Sequence, residues 1–148
     1  MHKAEAITAI VLAAHALARI AAHDAGNDAP SAQWRTLSIL EQQGGLRLGA
    51  LASATRTTQP GMTRLIGALE HAGFVERTAD PDDSRAIVVT ATEAGIRALD
   101  DWRTELGATL APRFDRLGDD DWRAIERTAA ILGERAQSTP DHTTGAQE

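Results

Sequence analysis

Residues 58–90, TQPGMTRLIGALEHAGFVERTADPDDSRAIVVT, confine this chain to few folds, because a helical signal and two strand signals abut there with little between them. Met62, Leu65, Ile66 and Leu69 recur at helical spacing and form one apolar stripe. At about 100° per residue, the opposite face is Pro60, Arg64, Gly67 and His71, with Thr63 on its flank. Thr58 is placed to cap the helix, and Pro60 is tolerated in a first turn whose N–H groups lack partners. Gly73 supplies the positive φ that ends it. A small, polar, uncharged-to-basic outer face with a free N-terminus suits a DNA major groove.

After Gly73, residues 74–78 read as a strand starting at Phe74-Val75, and β-branched-rich residues 86–90 read as its return partner. Residues 79–85 are expected to be a polar loop containing Pro81, with Arg85 at its base. A hairpin beside a helix-turn-helix is a wing. The chain resembles the MarR family of winged helix-turn-helix transcription regulators from about residue 31 to 102. The matching residues are Thr63-Arg64-Leu65, Leu69-Glu70-x-x-Gly73-Phe74-Val75-x-Arg77, Asp80-Pro81-x-Asp83-x-Arg85 and Val89-Thr90-x-x-x-x-Gly95. Their combined spacing is specific, whereas any one piece alone is weak. The sequence departs from the family pattern at Thr57, where an apolar residue is usual.

The fold class expected is mainly α with a small antiparallel β wing: a winged helix-turn-helix flanked by N- and C-terminal dimerisation helices. The division is residues 1–30, an N-terminal dimerisation helix; 31–90, the DNA-binding region; 91–136, C-terminal dimerisation helices; and 137–148, a tail without periodicity. The first helix spans about 3–22, with Ile7, Val11, Ala14, Leu17, Ala18 and Ala21 as a wide apolar stripe. Ser31 is a candidate cap for a second helix whose inner face is Trp34, Leu37 and Leu40, stopped at Gly44-Gly45. Residues 46–48 are expected to add a short strand, and residues 49–54 the first half of the helix-turn-helix. Thr90 and Glu93 match a capping box for a long fifth helix, broken between Ala108 and Pro112. Asp119, Asp120 and Asp121 favour the start of a last helix, whose buried face is expected to be Trp122, Ile125, Ala129, Leu132 and Ala136.

Composition both supports and strains this reading. The 148 residues carry 15 basic and 21 acidic side chains, a net charge of −6, whereas a DNA binder is expected to be basic. The excess is local: residues 33–90 are neutral, with 6 of each sign, and residues 91–148 carry 7 basic and 12 acidic groups. So few cations imply that dimerisation is needed to collect phosphate contacts, with salt-sensitive affinity. Without cysteine, disulfides and thiol redox sensing are excluded, which fits the cytoplasm. No continuous apolar run reaches 18 residues, so neither a membrane span nor a leader is expected.

The candidate DNA-contacting residues are Arg56, Thr57, Thr58, Gln59, Pro60, Gly61, Thr63, Arg64, Arg77, Asp83 and Arg85. Arg64 is placed to meet guanine or a phosphate, Arg56 and Arg77 phosphates, and Arg85 the narrow minor groove, steadied by Asp83. The threonines, Gln59, Pro60 and Gly61 equally fit an ordinary helix start. The partners expected are a double-stranded DNA operator and a second copy of the chain. The resemblance further implies a small phenolic or lipophilic effector between the dimerisation helices and the winged lobe, with His15, Arg19 and Trp34 as candidate pocket residues. No cofactor, metal or catalytic residue is expected. Two alternatives stay open: a metal-responsive regulator using His15 or His23, and a winged-helix module that binds protein rather than DNA.

Overall fold

The computed structural model describes residues 2–26 and 31–137; the end of the expected 1–30 segment and the tail from residue 138 lie outside them. The elements run α1 (Lys3–Asp24), α2 (Ser31–Gln43), β1 (Leu46–Arg47), α3 (Leu48–Thr55), α4 (Gln59–His71), β2 (Val75–Asp80), β3 (Asp83–Ala91), α5 (Glu93–Leu110), a 3-10 turn (Ala111–Phe114) and α6 (Asp119–Gln137). Residues up to Leu110 form one compact unit and those from Ala111 a second.

The core of the first unit forms where the predicted stripes meet. Met62, Ile66 and Leu69 of α4 are fully buried with Leu37 and Leu40 of α2, Leu51 of α3, Val75 and Val89 of the sheet, and Leu99 of α5. Each such aliphatic side chain contributes roughly 1.5–3 kcal/mol through removal from water. The small sheet is antiparallel in the order β1-β3-β2. Leu46 pairs with Val89 and Val75 with Ala91, so the wing grows from the same strand that floors the helix-turn-helix.

Several expectations shift. Ser31 is the first helical residue of α2, not a cap outside it. The loop at residues 79–85 shrinks to Pro81-Asp82, because Asp80 pairs with Asp83 and both strands extend into the polar stretch. A wing has little core to cover, so polar side chains do not mark the end of a strand there. Thr90 is spent on the ladder opposite Glu76, and the helix cannot start until after it. Thr92 provides the cap instead: its hydroxyl accepts from the Gly95 N–H at 3.1 Å and donates to the Gly73 carbonyl at 2.6 Å. That bond fastens the start of α5 to the turn that ends α4.

The outer helices depart most from expectation. Of the α1 stripe only Ala21 is buried, while Ile7 is 60% and Val11 46% exposed. By length and composition α1 is apolar enough to cross a membrane, with mean hydropathy 1.6 over its most apolar 18 residues. His15 and Arg19 nevertheless interrupt that stretch, and the C-terminal half of α1 packs against α5. No residue of α6 is buried. Trp122, Ile125, Ile131 and Leu132 are exposed among the described residues.

Candidate nucleic-acid interface and adjoining cavity

The turn between α3 and α4 is tight despite lacking an apolar residue at Thr57. Arg56 adopts the left-handed conformation at φ 54°, and the Thr57 N–H donates to the Ala52 carbonyl at 2.9 Å. The buried Thr55 hydroxyl donates to the Leu51 carbonyl at 2.7 Å and lies 3.1 Å from the Thr57 hydroxyl. A polar side chain is therefore accommodated where the family pattern favours an apolar one, since its oxygen has a partner.

Thr58 caps α4, its hydroxyl accepting from the Gly61 N–H at 3.2 Å. Gly61 has a packing role: a Cβ there would meet the Thr58 hydroxyl at 3.0 Å and the Thr57 methyl at 3.1 Å. The Thr63 hydroxyl donates back to the Gln59 carbonyl, and the Gln59 amide nitrogen lies over Gly49. Pro60, Thr63, Arg64 and His71 are exposed along one face of α4, opposite the buried stripe.

Ion pairing sorts the arginines of the winged region into two groups. Arg77 pairs with Glu70 at 3.3 Å, and Arg47 with Asp80 at 2.7 Å. Arg56, Arg64 and Arg85, like Arg35 on α2, are exposed and make no ion pair among the described residues. Arg85 sits near the wing tip, two residues into β3, rather than at a loop base. Asp83 does not hold its guanidinium; the Asp83 carboxylate accepts from the Arg85 backbone N–H at 3.0 Å instead. Arg47, at the start of α3, was absent from the predicted set. No local pattern points to its pairing with an aspartate 33 residues away.

A second feature lies between α1, α2 and α5. A cavity of about 750 Å³ is lined by His15, Ala18, Arg19, Ala21, Ala22 and Ala25 on one side. Ser31, Trp34, Arg35 and Ser38 of α2, with Trp102, Glu105 and Leu106 of α5, complete it. The three residues singled out from sequence, His15, Arg19 and Trp34, thus border one space. Trp34 stacks on Trp102 with ring centroids 5.4 Å apart and planes inclined by 15°. Arg103 bonds Glu41 at 2.6 Å and Asp100 at 3.0 Å, tying α5 to α2, and the Glu41 hydrogen bond chiefly raises its pKa above the ordinary arginine value. Among the described residues, no three His, Asp or Glu side chains group as a metal site requires.

Residues 30–87, from the entry to α2 into β3, match the model of the MarR family. An HTH-type transcriptional regulator of Mycobacterium leprae is 30% identical over 108 residues, covering 73% of this chain and 76% of that protein. The chain belongs to the MarR family. A Mycobacterium bovis regulator of the same description is 38% identical over 85 residues, which span 53% of this chain and only 59% of the relative. The fold also matches the solved MarR family protein from Bacillus stearothermophilus, with TM-score 0.68 and 20% identity over 93% of this chain and 99% of that one. The family match takes in α4 and Arg85 and stops before α5. Two walls of the cavity, α1 and α5, therefore lie outside the most family-like part of the MarR chain.

Proposed function

We propose that this protein is a sequence-specific DNA-binding transcription regulator of the cytoplasm, acting as a homodimeric repressor that a small effector releases from a pseudo-palindromic operator. The observation that carries the reading is the exposed face of α4 with Arg64, flanked by Arg56 and Arg85, all three without an acidic partner among the described residues. Arginines left unpaired on a neutral region are available to phosphate and base edges, while the paired Arg47 and Arg77 are already engaged. Arg64 fits a major-groove contact and Arg85, at a wing tip, the adjacent minor groove. The test is enrichment of duplexes from a random-sequence library, followed by a mobility shift at fixed salt. Enrichment of one palindromic sequence supports the reading, and retention of library DNA without preference contradicts it.

A second copy of the chain is the proposed cover for the apolar faces of α1 and α6. Two-fold symmetry would set the reading helices about 34–36 Å apart, one turn of DNA. Sedimentation at micromolar concentration is expected to give a dimer, and Val11→Glu, a charge on the open face of α1, a monomer. A wild-type monomer under those conditions would refute this assignment.

The cavity is the proposed effector site. Stacked tryptophans offer an aromatic wall, and Arg19, Arg35 and His15 outnumber Glu105, so a flat aromatic or lipophilic acid suits it. Such a ligand is expected to quench tryptophan fluorescence and to weaken operator affinity about 5–150-fold. Arg19→Ala should weaken ligand binding by roughly 10-fold or more if the guanidinium holds the carboxylate. Ligand binding unaffected by that change would remove Arg19 from the site.

A further inference from the structure

Arg47 stands outside the α4 reading face, yet its side chain makes a close polar contact with Asp80 of the wing. It ends β1, lies opposite Val88 in the ladder, and stands at the N-cap position of α3 in an extended conformation without a side-chain cap bond. From there its Nε and Nη2 both approach the same Asp80 carboxylate oxygen, at 2.7 Å each. The other oxygen of Asp80 accepts the Asp82 N–H at 2.9 Å. The Asp80 side chain is only 12% exposed, although it lies in the exposed arm. The contact falls beside the irregularity between Ala79 and Asp80, where strand pairing gives the tip least support.

The consequence reaches Arg85. The tip carries the carboxylates of Asp80, Asp82 and Asp83 within a few residues of that arginine, yet its guanidinium pairs with none of them. Asp83 accepts the Arg85 backbone N–H, and Asp80 is occupied on both oxygens by Arg47 and Asp82. Removing the Arg47 charge frees one oxygen of Asp80 and leaves an uncompensated carboxylate in the wing, which repels phosphate.

We propose that Arg47 is a positioning residue for DNA recognition: by holding and neutralising Asp80 it fixes the wing tip and keeps the Arg85 side chain free for the duplex. This role rests on the DNA-binding reading above. The pair stays charged around neutral pH, since the Asp80 hydrogen bond raises Arg47 and the Asp82 N–H, then Arg47, lowers Asp80.

The test is a double-mutant cycle on the duplex that the wild-type protein enriches from a random library. Arg47→Gln is expected to lower affinity about 10-fold in the wild-type background and less than about 2-fold in an Arg85→Ala background. The exchanged pair Arg47→Asp with Asp80→Arg is expected to recover most of the loss, aspartate being a good cap for α3. Hydrogen exchange should quicken in Arg47→Gln at residues 75–91 and stay unchanged in α2 and α4. Equal losses in both backgrounds would mean that Arg47 touches phosphate itself and would overturn the positioning role alone. Faster exchange throughout the lobe would overturn it too, by making the residue a general stabiliser. If the wild-type protein enriches no sequence, the DNA reading fails, and this role with it.

Discussion

Gly95→Ala is expected to destabilise the protein by about 3 kcal/mol, at the upper end of what overpacking usually costs. Helix propensity alone predicts the opposite sign, since alanine is favoured over glycine inside a helix by about 1 kcal/mol. Geometry decides between them. A Cβ on Gly95 would lie 2.1 Å from the Phe74 carbonyl oxygen and 2.9 Å from its carbon, and backbone cannot swing aside as a side chain can. The junction is also tethered from both sides. The Phe74 carbonyl accepts the Thr92 N–H at 3.0 Å, and the Thr92 hydroxyl donates to the Gly73 carbonyl. Pushing α5 away therefore breaks its cap and loosens the turn that ends α4. Equilibrium unfolding in urea measures the loss; a variant as stable as the wild type would show that α5 does not approach the Phe74 backbone so closely.

The second large effect concerns recognition. Arg64→Ala with Arg85→Ala is expected to cost about 2–6 kcal/mol of operator affinity, taking about 1–3 kcal/mol for each lost base or groove contact. The two side chains leave separate elements, α4 and β3, so their losses should add. Both are exposed and without ion pairs, so folding should be unchanged, with circular dichroism and melting temperature matching the wild type. Non-specific binding should survive in part, because Arg56 and the capped start of α4 remain. An unfolded double variant would assign these arginines to the scaffold.

What was legible in the sequence follows from which forces are local. Met62, Ile66 and Leu69 share a helical period, and Thr58 and Gly73 mark the ends of α4 by cap chemistry and positive φ, so that helix could be read directly. The sequence reading makes the wing too short, because Ala79, Asp80, Asp83, Ser84 and Arg85 carry no apolar alternation in a hairpin exposed to water. The cap of α5 was assigned to Thr90 by a matching pattern, but long-range pairing with Glu76 claims that residue and passes the role to Thr92. The apolar spacing of α6 predicts a buried face, yet none of its residues is buried in the structure, because amphipathic spacing does not say what covers a face. No local pattern couples Arg47 to Asp80, which lie on β1 and β2, the two strands flanking β3.

The same distinction holds in the cavity. Trp34 is recognisable on the inner face of α2, whereas His15 and Arg19 enter as pocket candidates through the family resemblance. That Trp102 stacks on Trp34 depends on how α5 crosses α2, which no local pattern encodes. The Arg103–Glu41 bond that helps fix this crossing also joins residues far apart in the chain.

Methylation protection on the selected duplex bears most directly on the proposal that α4 and the wing enter neighbouring grooves. Guanine N7 reports the major groove and adenine N3 the minor groove. The expected pattern is two patches of N7 protection about one helical turn apart, each flanked by N3 protection that disappears in Arg85→Ala while the N7 patches remain. Protection confined to one groove, or an N3 pattern indifferent to Arg85, would contradict it.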